Sequence, residues 1–159
     1  MSAVRQLTGL VVFVAICFAV AGIATAFTTP AIPSWYAGLR KPSWTPPNWV
    51  FGPVWSFLYL AMAVAAWLVW RELGLSGGAV PLTIFGIQLA LNLAWCVIFF
   101  SLHLPGPAFV EIVVLLLAIA ATIAAFWQVS AAAGVLLLPY IAWVGYAAAL
   151  NFGVWRMNA

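Results

Sequence analysis

The chain has 159 residues, of which 68% are hydrophobic and only 4% charged. Soluble domains carry about 25% charged residues, so a charged, water-facing shell is excluded. Intrinsic disorder is excluded too, because it needs low hydrophobicity and high net charge. With a mean hydropathy of +1.21, the composition implies an integral membrane protein.

Five apolar segments, each about as long as a helical span, follow one another: 7–27, 50–70, 80–102, 107–127 and 132–155. None shows the alternating pattern of a barrel strand, so each is predicted to be a helix that satisfies its own backbone in lipid. The fold class expected is an all-α, five-transmembrane-helix bundle forming one domain over 1–159. In the first segment, Arg5, the apolar run and Ala24-Thr25-Ala26 imitate a secretory leader. The run continues to Phe27, however, which favours a retained helix.

The connection 28–49 differs from the others. It holds Pro30, Pro33, Pro42, Pro46 and Pro47, which remove backbone donors and rule out regular helix. Trp35, Tyr36, Trp44 and Trp49 predict an ordered loop whose aromatics bury against the bundle mouth. The remaining links, Gly74–Ala79, His103–Pro107 and Gln128–Ala131, are short and make neighbouring helices antiparallel. Span ends at Trp67, Trp70, Trp127 and Trp155 suit an aromatic belt.

Arg5, Arg40, Lys41, Arg71 and Arg156 are scattered beside apolar runs. They are read as interfacial anchors, and no basic patch exists for nucleic acid. Five spans put Arg40, Lys41 and Arg156 on one side, against Arg5 and Arg71 on the other. The positive-inside rule then favours a cytoplasmic long loop and C-terminus. Cys17 and Cys96 lie alone in apolar runs, and no cysteine or histidine cluster suggests a metal.

Polar residues recur inside three spans. Gln88, Asn92 and Trp95 share one helix face at i, i+4 and i+7. That face either bonds to neighbouring helices or lines a ligand cavity. Tyr140, Trp143, Ala147 and Asn151 share a face of the last span, above Pro139. Trp55 and Tyr59 stack at i, i+4 in the second, after Pro53. Aromatic-lined pockets with a few polar groups bind planar apolar ligands; ordinary core packing is the other reading. Glu111 is the one acid within a span, and either pairs with a neighbouring helix or serves a proton or cation. His103 sits in a proline-bounded turn with no second haem ligand spaced around it. Gly86, Ala90 and Ala94 form a small-residue ridge for internal packing or a homodimer. No nucleophile with an adjacent base and no phosphate-binding glycine loop occurs.

The stretch Trp35-Tyr36-x-x-Leu39-Arg40-Lys41-Pro42-Ser43-Trp44-Thr45-Pro46-Pro47-Asn48-Trp49-Val50-Phe51-Gly52-Pro53-Val54-Trp55 resembles the signature of the TspO/MBR family, the tryptophan-rich sensory proteins and peripheral-type benzodiazepine receptors. Gln88-Leu89-Ala90-Leu91-Asn92-Leu93-Ala94-Trp95 and Pro139-Tyr140-Ile141-Ala142-Trp143 agree, and the resemblance spans essentially the whole chain. It implies five packed helices, often dimeric, and a receptor, sensor or carrier for tetrapyrroles such as protoporphyrin IX. Carried over by motif, the pocket positions are Tyr36, Pro46, Trp55, Gln88, Asn92, Trp95 and Trp143. Tyr140, Ala147 and Asn151 join them from the residue reading, and Arg40 or Lys41 would pair with propionates. No cofactor is required; porphyrin is the expected ligand. Two alternatives stand: light- and oxygen-dependent porphyrin breakdown at Trp55 and Trp143, and cation-coupled transport through Glu111. The cholesterol-recognition pattern of animal members lacks its central tyrosine here, where Leu150, Phe152 and Arg156 occur.

Overall fold

Five helices long and apolar enough to cross a membrane run through the computed structural model, which describes residues 1–159. They are α1 (Ala3–Thr28), α2 (Asn48–Gly77), α3 (Ala79–Cys96) with a π turn (Val97–Ser101), α4 (Pro105–Val129), and a last span broken into α5 (Ala131–Leu136) and α6 (Leu138–Asn158). All five predicted spans are present; four are longer than their apolar runs, and the third, Ala79–Ser101, equals its run at 23 residues. Polar ends supply caps: the Ser2 hydroxyl accepts from the Arg5 N–H, and the Ser130 hydroxyl from that of Ala133.

Two boundaries differ from expectation. Helical geometry continues past Arg71 and Glu72, is interrupted at Gly74 and resumes as far as Gly77, so most of the Gly/Ser-rich link is helical. The chain breaks within it at Gly74, whose φ of 67° suits a residue without a Cβ. The last span breaks before Pro139, which then sits in the first turn of α6, where its missing N–H costs nothing.

Lipid tails are as apolar as leucine, so close backbone approach, rather than exclusion of water, holds these helices together. Around the bundle, α1 packs on α2 and α3, α3 on α4, α4 on both halves of the last span, and α2 on α5. Gly9, Cys17 and Ala24 are the buried positions of α1. The Trp70 ring lies against Gly9, where any Cβ would collide with it. Trp70 is therefore buried core rather than an interfacial anchor, whereas Trp127 is exposed as a belt residue should be. Trp67 donates its indole N–H to the Gln6 carbonyl at 2.9 Å, a second tie between α1 and α2. Gly86 and Ala90 are exposed and Ala94 half-buried, so the small-residue ridge of α3 faces largely outward.

The proline-rich connection forms two 3-10 turns, Thr29–Ala31 and Tyr36–Gly38, folded over one end of the bundle. Its aromatics divide. Tyr36 is only 4% exposed and Trp35 half-buried, but Trp44 and Trp49 are 46% and 75% exposed. The expected burial of all four therefore fails for the last two: Trp44 lies at the surface against Tyr146, and Trp49 projects from the first turn of α2. Asn158 at the end of α6 holds the loop through paired bonds to the backbone of Arg40, at 3.0 and 2.8 Å.

Candidate ligand-binding site

Beneath this loop the bundle is hollow. A cavity of about 290 Å³ is bounded by α1, the loop, α2, the end of α3 and α6. That lies at the lower end of small-molecule sites, about 300–1,000 Å³. Trp55 and Tyr59 reach it from α2, Trp143, Ala147 and Asn151 from α6, Trp95 from α3, and Tyr36 from the loop. The π turn inserts one extra residue per turn and brings Phe99 and Phe100 into the wall, a geometry frequent at functional sites. Four aromatic residues of the lining are not singled out by the sequence pattern: Phe51, Phe99, Phe100 and Tyr146. Thr25 and Thr28, one turn apart at the end of an otherwise apolar run, also line it and were a readable signal.

Gln88, Asn92 and Tyr140 do not border the cavity; each is 1% exposed. Their polar atoms are spent on one another below it. The Tyr59 hydroxyl donates to the Asn92 side-chain oxygen at 2.7 Å, and the Asn92 amide donates to the Tyr140 hydroxyl at 2.8 Å. Tyr140 in turn donates to the Gln88 oxygen at 2.7 Å, and the Gln88 amide points to the Met62 sulfur at 3.6 Å. This chain links α2, α3 and α6 and satisfies groups that would otherwise be orphaned in a dry interior. Of the two sequence readings of that face, helix-to-helix bonding holds for Gln88 and Asn92, and exposure to the hollow for Trp95.

Trp95 and Asn151 are also committed. The Trp95 indole donates to Asn151 at 2.9 Å, and the Asn151 amide donates to the Pro105 carbonyl at 2.8 Å. By contrast, the Tyr36 hydroxyl and the Trp143 indole N–H are buried without a partner. Burial raises the Tyr36 pKa above its ordinary value of 10.0, so its hydroxyl remains a donor at neutral pH.

Other predicted residues lie apart. Pro46 borders a separate, shallow groove on the outer face rather than the cavity. Lys41 is consumed locally: its ammonium donates to the carbonyls of Tyr36 and Leu39 at 2.8 and 3.1 Å and lies 4.7 Å over the Tyr36 ring. Its expected pairing with a propionate conflicts with those three interactions. Both carboxylate oxygens of Glu111 are buried without a partner, so it has no neighbouring-helix pair, and it does not border the cavity. His103, at φ 57°, stacks on Trp35 with centroids 4.5 Å apart, which pins the α3–α4 turn to the loop.

The model of the TspO/MBR family matches residues 13–156, nearly the whole chain. The chain belongs to the TspO/MBR family. It is 51% identical over 126 residues to the translocator protein of Homo sapiens, covering 78% of this chain and 75% of that protein. It is 40% identical over 159 residues to the tryptophan-rich protein TspO of Chlorobaculum tepidum, covering 97% and 98%. Protein CrtK of Rhodobacter capsulatus is 40% identical over 158 residues, covering 96% and 94%. This TspO/MBR chain is thus an integral, multi-pass membrane protein.

Proposed function

We propose that the protein is a membrane receptor or carrier that binds tetrapyrroles in the cavity under the loop. One observation carries this reading: two residues that line the aromatic hollow, Tyr36 and Trp143, each hold a buried donor, O–H and N–H, with no partner within the chain. An unpaired buried donor costs about 1–3 kcal/mol. A planar apolar ligand with peripheral acceptors would recover that cost while stacking on Trp55 and Trp143. The cavity is small for a whole macrocycle, so part of the ring would occupy the mouth beneath the loop. Arg40, whose exposed side chain makes no hydrogen bond or ion pair within the chain, is the loop cation left for a carboxylate there.

Titration of the purified protein with protoporphyrin IX, followed by tryptophan fluorescence, tests the reading. Saturable quenching is expected, and Trp55→Ala/Trp143→Ala protein should bind at least tenfold more weakly. Equal binding by that double variant would refute it.

A further inference from the structure

The wall between the cavity and the bilayer is not equally thick all round. On most sides packed helix backbones close it, but α2 and α6 make only sparse backbone contact, and side chains fill the seam between them. On the outer face of that seam lies an apolar groove, with Val54 and Phe57 on one bank and Pro139 and Ala142 on the other. Phe57, Pro139 and Ala142 are exposed, so the groove faces lipid. From Asn48 to Phe57 the helix rises about 14 Å, roughly half the hydrocarbon thickness, so the groove reaches the middle of the bilayer.

Trp143 and Tyr146 border both the groove and the cavity. Two side chains therefore form the partition between hydrocarbon and hollow. They differ from the rest of the wall in how they are held. Trp95 is fixed by its bond to Asn151, whereas the Trp143 indole has no hydrogen bond to break on turning. Gly52 and Gly145, on the two helices flanking it, carry open space where a side chain would be. Phe51 meets Trp143 edge-on at 6.1 Å, a contact that does not pin the ring. The Tyr146 hydroxyl donates to the Trp44 carbonyl, and the Trp44 ring meets Tyr146 at 5.5 Å. The partition is thus latched from the loop. The loop is fastened to α6 by Asn158 on the Arg40 backbone, and Lys41 bonds within the loop to the Tyr36 carbonyl.

We infer that the ligand of the cavity enters and leaves sideways, from the bilayer, through the α2–α6 groove, with Trp143 and Tyr146 as the gate. The occupant of the groove is that planar apolar ligand in transit: it partitions into hydrocarbon and meets apolar surface on both sides of the partition. This inference rests on the cavity being the binding site.

Stopped-flow quenching in lipid nanodiscs preloaded with protoporphyrin IX tests both parts separately. Ala142→Trp fills the groove from the lipid side at a residue that does not border the cavity. Association and dissociation should slow together by at least tenfold, with Kd unchanged. Val54→Cys/Ala142→Cys protein, bridged by a bis-methanethiosulfonate linker that forms one disulfide with each thiol and releases methanesulfinate, should show the same slowing, relieved on reduction. Wild-type rates in both blocked forms, with wild-type Kd, would overturn the lateral route while leaving the site intact. No equilibrium binding by the wild type would overturn the site and the route together.

Discussion

The two ends of this bundle use the same residue types for opposite purposes. At the end away from the loop, aromatics fill space: Trp70 lies against Gly9 and Phe85 stacks on Phe126 at 5.8 Å. Just above them, every polar atom in the Tyr59–Asn92–Tyr140–Gln88 chain has a partner. At the loop end, aromatics line a hollow, and Tyr36 and Trp143 keep donors unspent. In a bilayer, where apolar burial adds little between helices, the difference between scaffold and site is whether side-chain volume and hydrogen-bond capacity are used up.

That contrast can be broken by substitutions at either end. The largest effect is expected from Gly9→Leu, which drives a side chain into the Trp70 ring and costs about 3 kcal/mol of stability. Thermal unfolding in detergent would show it, with porphyrin affinity of the folded fraction unchanged. Asn92→Leu leaves the Tyr59 hydroxyl without its acceptor, at about 2 kcal/mol, again in stability rather than affinity. Trp143→Phe keeps a ring but removes the N–H; binding should weaken about fivefold, or about 1 kcal/mol, at constant melting temperature. Tyr36→Phe should weaken binding about twofold and leave stability equal or higher, since it deletes an unpaired buried hydroxyl. Its pKa is raised in the folded state, so Tyr36 contributes no pH dependence below about pH 10. Stability conferred by its neutral form is lost as pH rises from about 10 through that higher folded value. A wild-type affinity that fell between pH 6 and 9, but not in the Tyr36→Phe protein, would contradict this. Affinity losses from Gly9→Leu or Asn92→Leu would erase the division between the two ends.

Much of the architecture is legible in the sequence because membrane spans need only length and apolarity, and both are one-dimensional. The order of the loop is legible from its tryptophans, but not which of them bury: Tyr36 turns inward through a 3-10 turn and Trp49 outward. Periodicity places Gln88, Asn92 and Trp95 on one face correctly, yet cannot say what that face meets. Tyr59 and Tyr140 arrive from other helices and consume the amides, while Trp95 sits a turn higher, where the bundle opens. Trp67 and Trp70 both fit an interfacial belt by position, and only the glycine opposite Trp70 makes it core. Phe99 and Phe100 join the wall through the π turn, a local change of pitch that no apolar run announces.

The buried chain of hydroxyls and amides has a direction. Each member from Tyr59 through Asn92 and Tyr140 to Gln88 donates onward, away from the hollow. Tyr59, at the floor of the hollow, therefore has its O–H spent downward, whereas Tyr36 and Trp143 near the loop keep an O–H and an N–H without a partner. Unspent hydrogen-bonding capacity is thus confined to the loop end of the bundle axis.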